Sequence, residues 1–285
     1  MRLLRGLVAF ALAIILIASS ALALGSYAVS EAISEDGVEK AITETDAVGK
    51  LTDNIIRQNT INLGGMYGET MQAILKSDAM TAFFTEYTSR CLQSQVYGEE
   101  MEELGADDLN AAFSAGMDEC LEKGLVTMDQ GERAMFDEAL NTAMPNLTKG
   151  VNYVLEQMSL TDFVDEDTAH QIEIARTATS DEIRYGAAGI AILACIILFA
   201  LYWRSKFGML LCGIMILVVA AFFYLLSTMI EQTMDSSATG LVLSRQMLYI
   251  MVSYGATEAM KAGAVIGGAM IVACPIFKIL FRRRR

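Results

Sequence analysis

Two uncharged apolar runs, residues 185–203 and 207–230, are separated by only Arg204-Ser205-Lys206. The first is nineteen residues long, which as a helix covers about 28 Å, close to the hydrocarbon thickness of a bilayer. In water, two helices apolar on every side and joined so tightly would have nothing to bury against. The pair reads as two membrane spans joined by a basic turn, and it places everything else in the chain.

The net charge of −13 conceals a sharper asymmetry. Residues 30–183 hold 31 Asp and Glu against 9 Lys and Arg, a local balance of −22. Elsewhere the acids are only Glu231, Asp235 and Glu258. Arg2, Arg5, Arg204, Lys206, Lys278 and Arg282 to Arg285 flank the apolar runs with no acid beside them. Short segments rich in Lys and Arg resist translocation and stay in the cytoplasm. The expected arrangement is therefore a plasma-membrane, multi-pass chain with both termini cytoplasmic. The acidic block and residues 231–254 then lie outside.

Residues 1–29 open with Arg2 and Arg5 and continue as one apolar run. They are either an uncleaved anchor or a signal peptide cleaved near Ala23 or Ala28. A run longer than a signal core favours the anchor. Residues 30–183 have the size of one aqueous domain. Their apolar residues recur at helical spacing in three stripes. Met80, Phe83, Phe84, Tyr87 and Cys91 form the first; Leu109, Ala112, Phe113, Gly116, Met117, Cys120 and Leu121 the second. Leu147, Val151, Val154, Leu155 and Met158 form the third, with Pro145 expected at its helix start. Residues 38–63 form a weaker helical stretch. Thr127 to Gln130 and Thr179 to Glu182 both match the capping box that opens a helix. Only two prolines occur in the chain. The fold expected is an all-α membrane protein of four transmembrane helices, with an exported acidic helical bundle between the first and second.

The last span is expected at 262–281, which completes a membrane domain of 184–281 with a basic tail at 282–285. Residues 241–254 are apolar but carry Arg245. They read as an interfacial helix or an extension of that span, because a separate crossing would turn Arg282 to Arg285 outward. Gly263 and Gly267 form a G-x-x-x-G that permits close helix packing, extended by Gly268 and Ala269. Glu258 and Lys261 are spaced to pair with each other.

Signals for chemistry are sparse. The single histidine, His170, lies among Asp162, Asp165, Glu166, Asp167 and Glu173. Asp162, Asp165, Asp167, His170 and Glu173 are weak candidates for a metal site, since oxygen ligands suit Ca²⁺ or Mg²⁺. The spacing lacks the glycine and terminal glutamate of an EF-hand, so a solvated acidic face is the plainer reading. The same holds for Glu99, Glu100, Glu102 and Glu103. No G-x-S-x-G, P-loop or dinucleotide fingerprint occurs, so neither a catalytic residue nor a cofactor is assigned. The acidic domain would repel phosphate, which argues against nucleic acid.

Cys195, Cys212 and Cys274 lie in apolar runs and read as small packing residues. Cys91 and Cys120 are a candidate disulfide in an exported domain, with two free core thiols as the alternative; the Cα separation decides. The function expected is non-enzymatic: a membrane protein whose exterior domain binds a ligand or protein partner or supports the envelope. The alternative is a channel or transport accessory subunit, disfavoured as a lone transporter because the first three runs carry no mid-span charge. The partners expected are the lipid bilayer, a membrane or exterior protein, and a second copy of the chain.

Overall fold

The computed structural model describes residues 2–47, 68–97, 104–157, 177, 180–203, 207–237 and 243–282. Among them the regular structure is entirely helical. The helices are α1 (Arg2–Ala32), α2 (Glu35–Thr45), α3 (Gly68–Leu75), α4 (Asp78–Tyr97), α5 (Ala106–Glu122), α6 (Gln130–Gln157), α7 (Asp181–Leu201), α8 (Phe207–Ser237) and α9 (Leu243–Arg282). The chain divides into two compact units. One comprises Met1–Ile33, His170–Gly240 and Tyr249–Arg285; the other comprises Ser34–Ala169 and Leu241–Leu248.

The first unit is a bundle of α1, α7, α8 and α9. Each contains a stretch long and apolar enough to cross a membrane: Arg5–Ala32, Glu182–Leu201, Phe207–Thr233 and Gln246–Ile276. Residues 262–281 are thus part of one forty-residue helix that begins at Leu243. Most of each apolar stretch faces outward, including Phe10, Ile14, Ile192, Ile196, Phe222 and Val265. Such a surface suits hydrocarbon rather than water.

Inside the bundle, Ala9 and Leu16 of α1 pack with Ala194 and Leu198 of α7 and Cys212 of α8. Further along, Leu24 of α1 packs with Val219 and Phe223 of α8 and Ala256 and Ala259 of α9. These pairings set α1 and α8 running one way and α7 and α9 the other. The guanidinium of Arg5 lies 4.8 Å over the Tyr202 ring just past the end of α7. One end of the bundle therefore gathers the start of α1, the end of α7, the start of α8 and the end of α9.

Glycines set the closest approaches. A Cβ on Gly263 would lie 3.0 Å from the Ala220 Cβ and from Leu24 Cδ1; one on Gly267 would lie 2.9 Å from the Gly213 carbonyl oxygen. A Cβ on Gly255 would collide with the Ala28 carbonyl oxygen. Gly268, expected to extend this surface, instead has open space beside it, because one further residue turns about 100° around the helix.

In the second unit, Ile74, Met80, Leu109, Phe113, Met117, Cys120, Phe136 and Leu140 anchor one core. Phe83, Phe84 and Tyr87 are half-buried against it. Gly116 lets α5 approach the Ile74–Ser77 turn, where a Cβ would meet Ser77 Oγ at 2.7 Å. After α5, Gly124 takes a left-handed φ of 67°. Gly124 N–H bonds Leu121 O at 3.1 Å and Leu125 N–H bonds Cys120 O at 2.9 Å, the paired bonds of a Schellman stop.

Two local expectations are corrected. The box that opens α6 is made by Asp129 and Glu132, not by Thr127 and Gln130. Glu132 N–H donates to Asp129 Oδ1 at 2.8 Å, and Asp129 N–H donates to Glu132 Oε2 at 3.0 Å. An aspartate caps at least as well as a threonine, and the true start lies two residues later. Pro145 sits inside α6 rather than at its start. It is exposed, so water can solvate the carbonyl whose helical bond it removes, and the buried face of Phe136, Leu140 and Met144 continues past it to Leu147 and Val151. Thr179, the expected cap of the next span, lies outside the described residues; α7 starts at Asp181 after Ser180, whose hydroxyl donates back to Thr177 O at 2.8 Å.

Candidate functional site

Helix α2 owes its start to Ser34, whose hydroxyl accepts the Gly37 N–H at 3.3 Å, and its stop to Asp46 in the left-handed region at φ 49°. Val38, Ala41, Ile42 and Thr45 form its buried face, and α2 packs on α4. The start of α4 is held from two sides. Ser77 Oγ accepts the Met80 N–H at 3.2 Å, while Glu119, reaching across from α5, accepts the Asp78 and Ala79 N–H groups at 3.0 and 2.9 Å. Three of the four free donors of that helix end are thereby satisfied. Lys123 Nζ lies 2.7 Å from both Glu119 and Asp78. The Lys123 bond and the Ala79 N–H hold the Glu119 carboxyl down at about 2, well below its ordinary value. Lys123 is raised in turn, first by Asp78 and then by Glu119.

Between α2 and α4 lies a cleft of about 740 Å³. Glu35, Asp36, Glu39 and Asp46 line it from α2; Asp78 and Glu86 line it from α4, with Lys76 as the one basic lining residue among those described. Asp78 is taken up by Lys123, and Glu86 pairs with Arg90. Glu35, Asp36, Glu39 and Asp46 have no ion-pair partner among the described residues. Glu35 and Asp36 sit in the first turn of α2, where a carboxylate suits the helix dipole; Asp46 sits at its C-terminus, where a carboxylate does not. Ile42 and Ala82 supply apolar wall. Thr85 also lines the cleft; it is 5% exposed, and its hydroxyl has no hydrogen-bond partner among the described residues.

A smaller polar cluster joins α8 to α9. The Ser227 hydroxyl lies 3.0 Å from those of Ser253 and Thr257, and Ser253 donates to Glu231 at 3.2 Å. Lys261 pairs with Glu258 at 2.5 Å, the contact their spacing implies.

Cys91 and Cys120 are both buried, and the structure shows no disulfide between them. Burial pushes both thiols up. Asp162, Asp165, Asp167, His170 and Glu173 lie outside the described residues. Among those described, no group of three metal-ligating side chains comes together. Gly263 and Gly267 lie against Ala220, Leu24, Gly213 and Leu217 of the same chain. The cleft itself escapes a reading of the sequence, because its carboxylates come from helices some forty residues apart; acids at both ends of α2 are the one visible sign. Comparison with protein-family models, with curated proteins and with solved structures finds no match to this chain.

Proposed function

We propose that this chain is a non-enzymatic multi-pass protein of the plasma membrane whose acidic helical domain lies outside and binds a ligand or partner there. The observation that carries the binding role is the α2–α4 cleft, which is lined both by carboxylates and by a buried hydroxyl that have no partners among the described residues. A domain with only a structural duty gains nothing from either, since like charges repel and an unmet buried hydroxyl costs stability. The orientation is supported by the common end of the bundle, to which Arg5, the end of α7, the start of α8 and the end of α9 belong, with Arg204 and Lys206 lying between α7 and α8 in the sequence. Basic residues gathered at one end favour the cytoplasmic side for that end. In the sequence, residues 34–169 follow the end of α1 and precede the start of α7.

Single cysteines introduced at Ser205 and Asp107 test this in intact cells, with the unmodified chain as background. An impermeant maleimide should label the Asp107 position and spare the Ser205 position. Labelling at Ser205 with protection at Asp107 would reverse the orientation and remove the exterior role.

A second reading, an accessory subunit of a channel or transporter, is favoured by the Ser227, Ser253, Thr257 and Glu231 cluster at the α8–α9 contact. Intramembrane hydroxyls beside a carboxylate are found along ion pathways. Ion flux into liposomes holding the purified chain would support that reading, and a stoichiometric partner without flux would support the first.

A further inference from the structure

We infer that the α2–α4 cleft is a binding site for a linear aliphatic polyamine. The inference rests on the ligand-binding role proposed above for this domain and names the chemistry of its ligand. Four observations converge on it. Glu39 and Asp46 line the cleft without ion-pair partners among the described residues, whereas Asp78 and Glu86 are already neutralised by Lys123 and Arg90. Asp46 lies at the C-terminal end of α2, where the helix dipole opposes a carboxylate, so an external cation improves its environment. Thr85 holds a buried hydroxyl with no partner at the cleft wall, and a hydroxyl oxygen there can accept from an ammonium group. Finally, Ile42 and Ala82 interleave apolar surface with the acids.

The pattern discriminates between cations. A divalent metal needs several oxygens converging on one point, and no such group of three occurs among the described residues. A cleft of about 740 Å³ is also far larger than a single ion needs. A polyamine distributes its charge along a chain, places each ammonium near a different carboxylate, and lays methylenes on the apolar wall between them. Each ammonium brings three donors, enough for a carboxylate and the Thr85 hydroxyl together.

Titration calorimetry on the full chain, in nanodiscs of zwitterionic lipid, tests the inference with spermidine as probe. Saturable one-site binding is expected, at least about tenfold tighter than Mg²⁺ or butylamine at matched ionic strength. Glu39→Gln with Asp46→Asn should weaken spermidine about tenfold or more. Asp107→Asn with Glu138→Gln, the same charge change on exposed residues that do not line the cleft, should leave it unchanged. Thr85→Val gives a readout of opposite signs: without ligand the melting temperature should rise, and the shift produced by spermidine should shrink. Equal affinity for Mg²⁺ and spermidine would overturn the inference, since it reports a general ion atmosphere. So would equal weakening by both double variants, or binding only by a lysine-rich peptide. A reversed topology would overturn the exterior role and leave these affinities untouched, whereas absent binding with the proposed topology removes the polyamine alone.

Discussion

Gly213 and Gly267 accommodate each other's backbone: a Cβ on Gly213 would lie 2.8 Å from the Gly267 carbonyl oxygen, and one on Gly267 would lie 2.9 Å from the Gly213 carbonyl oxygen. Helix α8 and helix α9 touch there through backbone, and no side chain fits between them. In a membrane, where apolar burial does not drive helices together, such packing supplies much of the association. Gly213→Leu or Gly267→Leu should cost about 1–3 kcal/mol through overpacking. Gly268→Leu, with open space beside it, should be close to neutral. Thermal unfolding in a mild detergent compares the three; an equal loss for Gly268→Leu would mean that leucine itself, and not the close approach, is the problem.

Glu119 makes the second unit sensitive to acid. Its carboxyl is lowered from 4.5 to about 2 by the Lys123 hydrogen bond, then by the Ala79 N–H, with a further bond from Asp78 N–H. A folded value below the unfolded one adds stability that is complete above the unfolded value and disappears as pH falls through the folded one. Wild-type protein should therefore lose this contribution between pH 4.5 and about 2. Because Lys123 is half exposed and screened by water, the contribution is about 1–2 kcal/mol. Glu119→Gln should be destabilised by that amount at pH 7 and match wild type near pH 2. Denaturant midpoints across a pH series read the difference, and a constant gap at every pH would assign the effect to shape and not to charge.

Asn152 performs a backbone's task with its side chain. Its amide oxygen accepts the Leu104 N–H at 3.1 Å and its amide nitrogen donates to the Leu104 carbonyl at 3.3 Å. Leu104 is buried, so removing the amide strands both groups. Asn152→Ala should cost about 1–3 kcal/mol, and Asp129→Ala, which opens the α6 cap, about 1 kcal/mol. Chemical denaturation of each variant gives both numbers. A loss for Asn152→Ala no greater than that of an exposed-site alanine would show that water replaces the amide without penalty.

Cys91 and Cys120 should behave as core atoms. Burial raises both thiols, and the neighbouring Glu119 charge raises Cys120 further. The thiolate is the reactive form, so alkylation at pH 7 should be at least about tenfold slower in the folded than in the denatured chain. Reductant should leave the melting temperature unchanged. A fall on reduction would reveal a bond between them.

The spans are legible because eighteen or more apolar residues without charge have few alternatives, and the stripe from Leu109 to Cys120 is legible because helical spacing repeats through it. Helix ends are harder, since several residues compete for one cap. Thr127 fits the pattern, yet Asp129 wins because Glu132 returns its bond. Pro145 misleads because an exposed helix face tolerates a lost bond that a buried one would not. Gly263 and Gly267 announce a close approach, but their partners Gly213 and Ala220 lie some fifty residues away and carry no matching mark. The cleft is the least legible feature. Glu39 and Glu86 look like ordinary surface acids until two helices bring them to one groove.

Leu16 is fully buried, and it is buried by residues of α7 and α8. Ala32 and Asp181 are separated by nearly 150 residues of chain. At a synthesis rate of about 5–20 residues per second, α1 leaves the ribosome roughly seven to thirty seconds before α7 does. Through that interval the first helix waits in the lipid with its future contact face uncovered. Burial of Leu16 therefore waits on the synthesis of α7 and α8, and α1 is a part held in reserve until they arrive.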